Sequence, residues 1–449
     1  MVAPSYYLRR RNIARASFVV RALVFILFIS SSFTVSYAQD LLRSSQGRET
    51  VFQAMVDVFK ENYWDAAYID WDEWANKYRD AALNASSRRS FDGVARRMVF
   101  ELEDEHSSWV GRVVYVDSDT AVPRADGRPG LGFQHNYLEG SGVVLSRVYP
   151  QTPAANAGLQ RGDVIETIND QDVRNLGGQA LAGRMFARAV DAGDVLLEVR
   201  RGQQLLDVLV EPAPIRFGEV QNLPQGQMLD SHTGYIYIPT FNAGNVANEV
   251  HRLTAELQSQ GADALVLDLR DNLGGRLSEM GLVLGAFIDG TWAQATSRGG
   301  IAWYSSYAEV DGMGVTELIS PDGESISRSS IEAPVRFDGK LAVIVSSSNS
   351  SAGEIAPLVL RNQGRATIIG EATGGNVEAV RGFDLPDGSV VMVAVANVES
   401  IDGTPFDGGV IPDIEASSNL EELARGYDAP VAEALRSLRE LSFTPNKFF

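Results

Sequence analysis

The residues of this chain best suited to nucleophilic chemistry lie in one stretch. Residues 341–376 read LAVIVSSSNSSAGEIAPLVLRNQGRATIIGEATGGN. The apolar, β-branched run from Leu341 to Val345 predicts a buried strand. A small polar turn follows, and a helix is predicted to begin around Ser351, Ala352, Gly353 and Glu354. Backbone N–H groups at a helix start point outward and favour developing negative charge. A serine there suits attack on a carbonyl carbon, with those N–H groups holding the oxyanion. Asn349 to Ser351 is formally a glycosylation sequon, a chance match in a segment expected to be buried.

Such a serine needs a base. Lys340 opens the same strand, one strand length away and out of reach, and Lys447 lies in the tail. The chain has four histidines, His106, His135, His232 and His251. A neutral imidazole near pH 7 can take a serine proton. His135 follows Gly130-Leu131-Gly132-Phe133 and reads as a peptide-groove or surface residue, while His232 and His251 read as solvated. Glu354, one turn past Ser351, is expected to cap the helix or bind nearby backbone. No HExxH pattern and no cysteine occurs, so neither a metal site nor any other cofactor is expected.

The elements that position these groups follow from the rest of the chain. Its 449 residues can form two or three domains, and its net charge of −19 argues against a nucleic-acid partner. Arg9, Arg10, Arg11, Arg15 and Arg21 precede and enter an apolar run, Ala22 to Phe33, and Ser36-Tyr37-Ala38 precedes Gln39. Residues 1–38 therefore read as a cleaved secretory signal, with an uncleaved anchor as the alternative. No other stretch is apolar and long enough to span a membrane, so the mature chain is expected in the periplasm or outside the cell. Residues 39–118 carry helical periodicity: Val51, Met55, Val58 and Phe59, then Trp71, Trp74 and Tyr78, then Phe91, Val94, Met98 and Leu102. Residues 119–215 are β-rich, and residues 216–449 alternate strands and helices, implying a mainly parallel sheet. The stretch from Thr296 to Phe337 reads as irregular, with hairpins. The fold class is α/β, in an α+β multidomain arrangement.

Four motifs stand in order along the chain: DEHSS at Asp104 to Ser108, GLGF at Gly130 to Phe133, DLRDNLGG at Asp268 to Gly275, and SSAGE at Ser350 to Glu354. Together with Gly370-Glu371-Ala372-Thr373-Gly374-Gly375 and Gly409-Val410-Ile411-Pro412-Asp413, they resemble the S41 serine peptidases, the C-terminal processing and tricorn-type proteases. The resemblance covers nearly all of residues 50–440. It implies a ClpP/crotonase-like α/β core, a PDZ domain and endopeptidase activity on proteins or peptides. The PDZ domain, with its GLGF loop and downstream TPAANAGLQRGD, would hold substrate C-termini on Gly130, Leu131, Gly132 and Phe133 through loop N–H groups and strand addition. Ser351 aligns with the family nucleophile. Ala352, with Gly274 or Gly275, aligns with the oxyanion donors, and Asp268 with Arg270 forms a structural ion pair.

Asn376 stands where processing proteases carry the catalytic lysine. His106 matches the histidine that tricorn-type members use as base, and Asp407, just before GVIPD, is the nearest candidate for the orienting acid. Glu105 stands where those members have a serine and could itself orient the imidazole. Processing proteases also carry a D-x-H motif here without using it as base, so His106 can instead dock the helical region. With the lysine lost, the competing function is a catalytically inactive peptide-binding adaptor on the same scaffold.

Overall fold

The computed structural model describes residues 41–65, 69–102, 104, 106–112, 129–215, 220–375, 377–406 and 408–440. The signal segment, Glu105, Asn376, Asp407 and Lys447 lie outside the described residues.

Three helices come first: α1 (Ser45–Asn62), α2 (Trp71–Leu83) and α3 (Arg88–Phe100). Each begins on a side-chain cap. Ser44 accepts from the Gly47 N–H, Asp70 from those of Asp72 and Glu73, and Ser87 with Ser90 forms a capping box. Val51, Phe52, Met55 and Phe59 share one face of α1 and are buried. Phe59, Trp71 and Trp74 meet edge to face, with ring centroids 5.3–5.4 Å apart for Trp74 with its two neighbours. This cluster does not close on itself. It also takes in Leu385, Val391, Val393 and Ala394, which come from a strand and the turn before it nearly 300 residues later.

Strand β1 (Ser108–Arg112) leads away from α3. A second module holds β2 (Phe133–Leu138), β3 (Gly142–Val148), β4 (Val164–Ile168), α4 (Gln179–Ala192), β5 (Val195–Arg201) and β6 (Gln204–Val210). Its sheet runs in the order β2-β3-β4-β5-β6, all antiparallel, with β2 at an edge.

The third region begins with β7 (Gln225–Met228), β8 (Thr233–Tyr237), α5 (Val246–Ser259), β9 (Ala264–Asp268) and α6 (Leu277–Leu284). Then come β10 (Gly290–Ser297), β11 (Gly300–Val310), β12 (Met313–Ile319) and β13 (Ser325–Glu332). It ends with β14 (Lys340–Val345), α7 (Ala352–Asn362), β15 (Thr367–Gly370), β16 (Glu378–Asp384), β17 (Ser389–Ser400), β18 (Ile414–Glu415), α8 (Leu420–Ala424) and α9 (Ala429–Glu440). The central sheet has the order β7-β8-β9-β14-β15-β18, parallel from β8 onward. Leu265, Leu267, Leu341, Val343 and Val345 face one core, and Ala264, Val266, Ala342 and Ile344 face the other, under α9. Burial on both faces explains why these strands are continuous apolar runs.

The stretch around 296–337 is more regular than its sequence suggested. It forms β11 to β13, long strands paired antiparallel in two hairpins. They join β10, β17 and β1 in the second sheet, so the helical region is stitched to the core through β1 and β17.

Candidate active site

β14 ends at Val345, and the chain turns through Ser346 to Ser350 into α7. Buried Asn349 holds this turn. Its Oδ1 accepts from the Ser346 N–H at 2.6 Å, and its Nδ2 donates to the carbonyls of Leu269 (2.6 Å) and Asn272 (3.1 Å). The serine turn is thereby bonded to the turn that follows β9.

Ser351 sits at φ 54° and ψ −129°, a region that L-residues avoid and that costs about 1–3 kcal/mol. Its carbonyl accepts from the N–H groups of Glu354 (2.8 Å) and Ile355 (3.0 Å), which fixes the strain in place. A serine strained at a strand-to-helix turn presents its hydroxyl outward, as in a nucleophile elbow.

Two glycines let the turns meet backbone to backbone. A Cβ on Gly274, whose φ is +95°, would lie 2.8 Å from Ser351 Cβ and 3.0 Å from the Ala352 nitrogen. A Cβ on Gly353 would lie 2.2 Å from the Asn272 carbonyl oxygen. The sequence left Gly274 and Gly275 as alternatives for one oxyanion donor, and the geometry separates them. The Gly274 N–H is committed to Asn272 Oδ1 at 2.8 Å. Gly275 bridges to Phe241 through the neighbouring Gly274 C=O and Arg276 N–H, leaving its own N–H outside the pairing. Ala352 is the first residue of α7 and has no acceptor within the helix. The Ala352 and Gly275 N–H groups thus have no partner among the described residues.

His106 lies between α3 and β1. Its N–H and that of Ser107 donate to Asp104 Oδ1, and Ser107 Oγ accepts from the Ala394 N–H at 3.0 Å. The segment is therefore pinned to β17. His106 Nδ1 lies 2.9 Å from Glu378 Oε2, with the two side chains 12% and 13% exposed. The contact is close but not aligned as a hydrogen bond. Glu378, the first residue of β16, was missed by the sequence reading, which looked to Asp407 and Glu105. Its only sequence signal is its place three residues past Gly375.

Glu354 is fully buried. Its Oε1 accepts from the Thr373 hydroxyl and, at 2.7 Å, from the Gly375 N–H. This ties α7 to the loop preceding β16. Glu378 is three positions past Gly375, a reach of at most about 10 Å. His106 therefore lies within one short loop of the first turn of α7. Ser351 Oγ makes no hydrogen bond among the described residues, so the serine–imidazole contact is not formed in this arrangement. Lys340 is at the far end of β14, where its Nζ donates to the Leu438 carbonyl at 2.9 Å.

Asp268 and Arg270 form a buried pair, with Arg270 Nε 3.0 and 2.9 Å from the two carboxylate oxygens. Arg270 also reaches Asp428 at 2.7 Å, and Arg161 of the β-rich module reaches the same carboxylate at 3.1 Å. Burial alone would raise Asp428, but the two guanidinium groups outweigh it and hold the carboxyl below its usual range. A cleft of about 1530 Å³ lies between the module and the core, lined by Arg147, Arg161, Tyr237, Arg270 and Ser346 to Ser348. It reaches the serine turn but stops short of Ser351.

In the β-rich module, Leu131 is buried and Gly132 takes φ +93°, where a Cβ would strike Thr152 at 2.3 Å. The rings of Phe133, His135 and Phe186 pack edge to face at 5.1–5.8 Å. Burial pushes the His135 imidazole below its ordinary pKa. His251 is not solvated, contrary to the sequence reading. It is buried, with Nε2 2.9 Å from the Leu282 carbonyl and Nδ1 accepting from the Val335 N–H at 2.9 Å.

The profile of peptidase family S41 matches residues 232–416, and a PDZ-domain profile matches residues 144–183. Residues 232–416 belong to peptidase family S41. A C-terminal processing peptidase of Tetradesmus obliquus chloroplasts is 30% identical over 67% of this chain and 64% of its own length. The Arabidopsis thaliana chloroplast carboxyl-terminal-processing peptidase 2 is 30% identical over 78% of this chain and 66% of its own length. The chain thus spans just under two thirds of these relatives. A solved structure assigned to the S41 proteases, from Bacteroides fragilis, superposes with a TM-score of 0.52 at 15% identity, covering 87% of this chain and 97% of that one. It shares the fold.

Proposed function

We propose that the chain is a secreted serine endopeptidase that cleaves protein or peptide substrates and recognises their C-termini through its PDZ domain. The observation that carries this is Ser351. A strained serine at a helix start, backed by glycine turns and flanked by two unpaired N–H groups, suits acyl transfer and has no structural need to be strained.

In this reading Ser351 Oγ attacks the scissile carbonyl carbon while His106 Nε2 takes the hydroxyl proton. The Ala352 and Gly275 N–H groups hold the oxyanion. His106 then protonates the leaving amine, and water, deprotonated by the same imidazole, releases the acyl group. The chemistry calls on no metal or organic cofactor. Glu378 holds the Nδ1 side of the ring, a role first assigned to Asp407 or Glu105. His106 closes onto Ser351 when substrate enters the cleft. The basic, apolar N-terminal segment directs the chain out of the cytoplasm. No helix among the described residues is long and apolar enough to cross a membrane.

The missing hydrogen bond between Ser351 and His106 favours a second reading, a peptide-binding adaptor without catalysis. A fluorophosphonate probe separates the two. The peptidase reading expects labelling of the wild-type protein and none of Ser351→Ala, with peptide hydrolysis lost in both Ser351→Ala and His106→Ala. An unlabelled, inactive wild type would support the adaptor.

A further inference from the structure

The PDZ groove lies between β2 and α4, and β2 pairs with β3 on one side only. Its other edge carries backbone groups that an added strand would use. Two of them are already bonded. Gln179, the first residue of α4, donates from Nε2 to the His135 carbonyl at 3.0 Å and accepts from the Tyr137 N–H at 2.5 Å. A carboxamide has the donor and acceptor of a peptide group, so Gln179 supplies one link of the ladder that an incoming chain would otherwise complete. Toward the Gly132 turn no side chain bonds the strand edge among the described residues. The Leu131 and Gly132 N–H groups make no bond among the described residues, and the Phe133, His135 and Phe186 rings wall the pocket beyond them. His135 Nε2 is buried there with no partner.

We propose that Gln179 is a length stop in this groove. It restricts pairing to about the last three residues of a bound C-terminus, and a longer peptide pairs further only by displacing the Gln179 carboxamide. The PDZ domain then reads the very end of a substrate and leaves the preceding residues free to cross the cleft. This rests on the groove being a site for peptide C-termini, as proposed above.

The test uses the full chain carrying Ser351→Ala, so that ligands are not cleaved. Heptapeptides with randomised last three residues are selected for binding, and the best is compared with its own C-terminal tripeptide by fluorescence anisotropy. The Gln179 side chain is exposed, so its two bonds are weak ones, and removing their competition should yield a modest gain. With Gln179 present, heptapeptide and tripeptide should bind alike, within about twofold. In Gln179→Ala the heptapeptide should tighten about five- to tenfold while the tripeptide stays unchanged. Equal affinities in both proteins, or a heptapeptide already far tighter than the tripeptide with Gln179 present, would overturn the length stop alone. No selectable binder, or equal binding of the C-terminally amidated peptide, would overturn the groove reading and the stop with it.

Discussion

Replacing Glu378 with Gln tests how His106 is aimed. The carboxylate oxygen is 2.9 Å from Nδ1, and both side chains are largely buried. In the proposed mechanism His106 takes the Ser351 proton, and an imidazolium then faces that carboxylate. Coulomb's law gives about 6 kcal/mol at this separation for an effective dielectric constant of about 20. Desolvating the pair offsets much of this, and bonds to charged groups net about 1.5–3 kcal/mol. A loss of about 2–3 kcal/mol from the transition state lowers kcat/KM roughly 30- to 150-fold. Gln keeps the shape of the side chain and removes its charge, so the melting temperature should hold. Glu378→Asp, which keeps the charge one methylene further away, should fall in between. The assay is kcat/KM on an internally quenched peptide, with thermal melting as the control for folding. Activity of Glu378→Gln within twofold of wild type, beside an inactive His106→Ala, would refute the assignment and return the role to Asp407 or Glu105.

Gly353→Ala places a methyl 2.2 Å from the Asn272 carbonyl oxygen, where ordinary contact begins near 3.4 Å. The two turns must separate by about 1 Å, and such a misplacement costs on the order of 100-fold in rate. Fluorophosphonate labelling should slow accordingly, while circular dichroism keeps the native helix signal because alanine suits a helix. His251 is held as the neutral tautomer with its proton on Nε2, and burial lowers its pKa from the ordinary value. The unfolded chain therefore binds the proton more readily. Stability is full above about pH 6.5 and falls as the pH drops below it, by up to about 1.4 kcal/mol per pH unit until the folded state also protonates. Urea titrations at pH 7.5 and 5.5 should show this loss, and His251→Gln should flatten it. An unchanged slope in His251→Gln would assign the loss to other groups.

Much of this site was legible because local sequence carries local geometry. Leu341 to Val345 had to be a buried strand, its small polar turn had to break it, and the helix that follows had to leave N–H groups beside Ser351. Gly274 was likewise readable, since a glycine pair after a buried strand marks a close backbone approach. Where the reading went astray, the missing information was lateral. His251 shares the apolar face of α5 with Ala247, Val250 and Thr254, yet only the packing of α6 and Val335 over that face buries it. The strands of the second sheet looked irregular because hydrophobicity does not track burial along them: Ile301, Val310 and Ile326 are exposed while Ser305 is buried.

By itself, then, the sequence determined the serine turn, the Gly-Gly turn, the parallel core and the PDZ loop, because each rests on residues a few positions apart. The tertiary structure decided three other matters. The Asn272 side chain occupies the Gly274 N–H and leaves that of Gly275 without a partner among the described residues. Glu378 reaches His106 because β1 and β16 both pair with β17. Gln179 closes part of a groove whose other wall is 44 residues away along the chain. These are contacts between segments brought together by sheet pairing and burial. Register across strands, not spacing along the chain, sets which side chains meet.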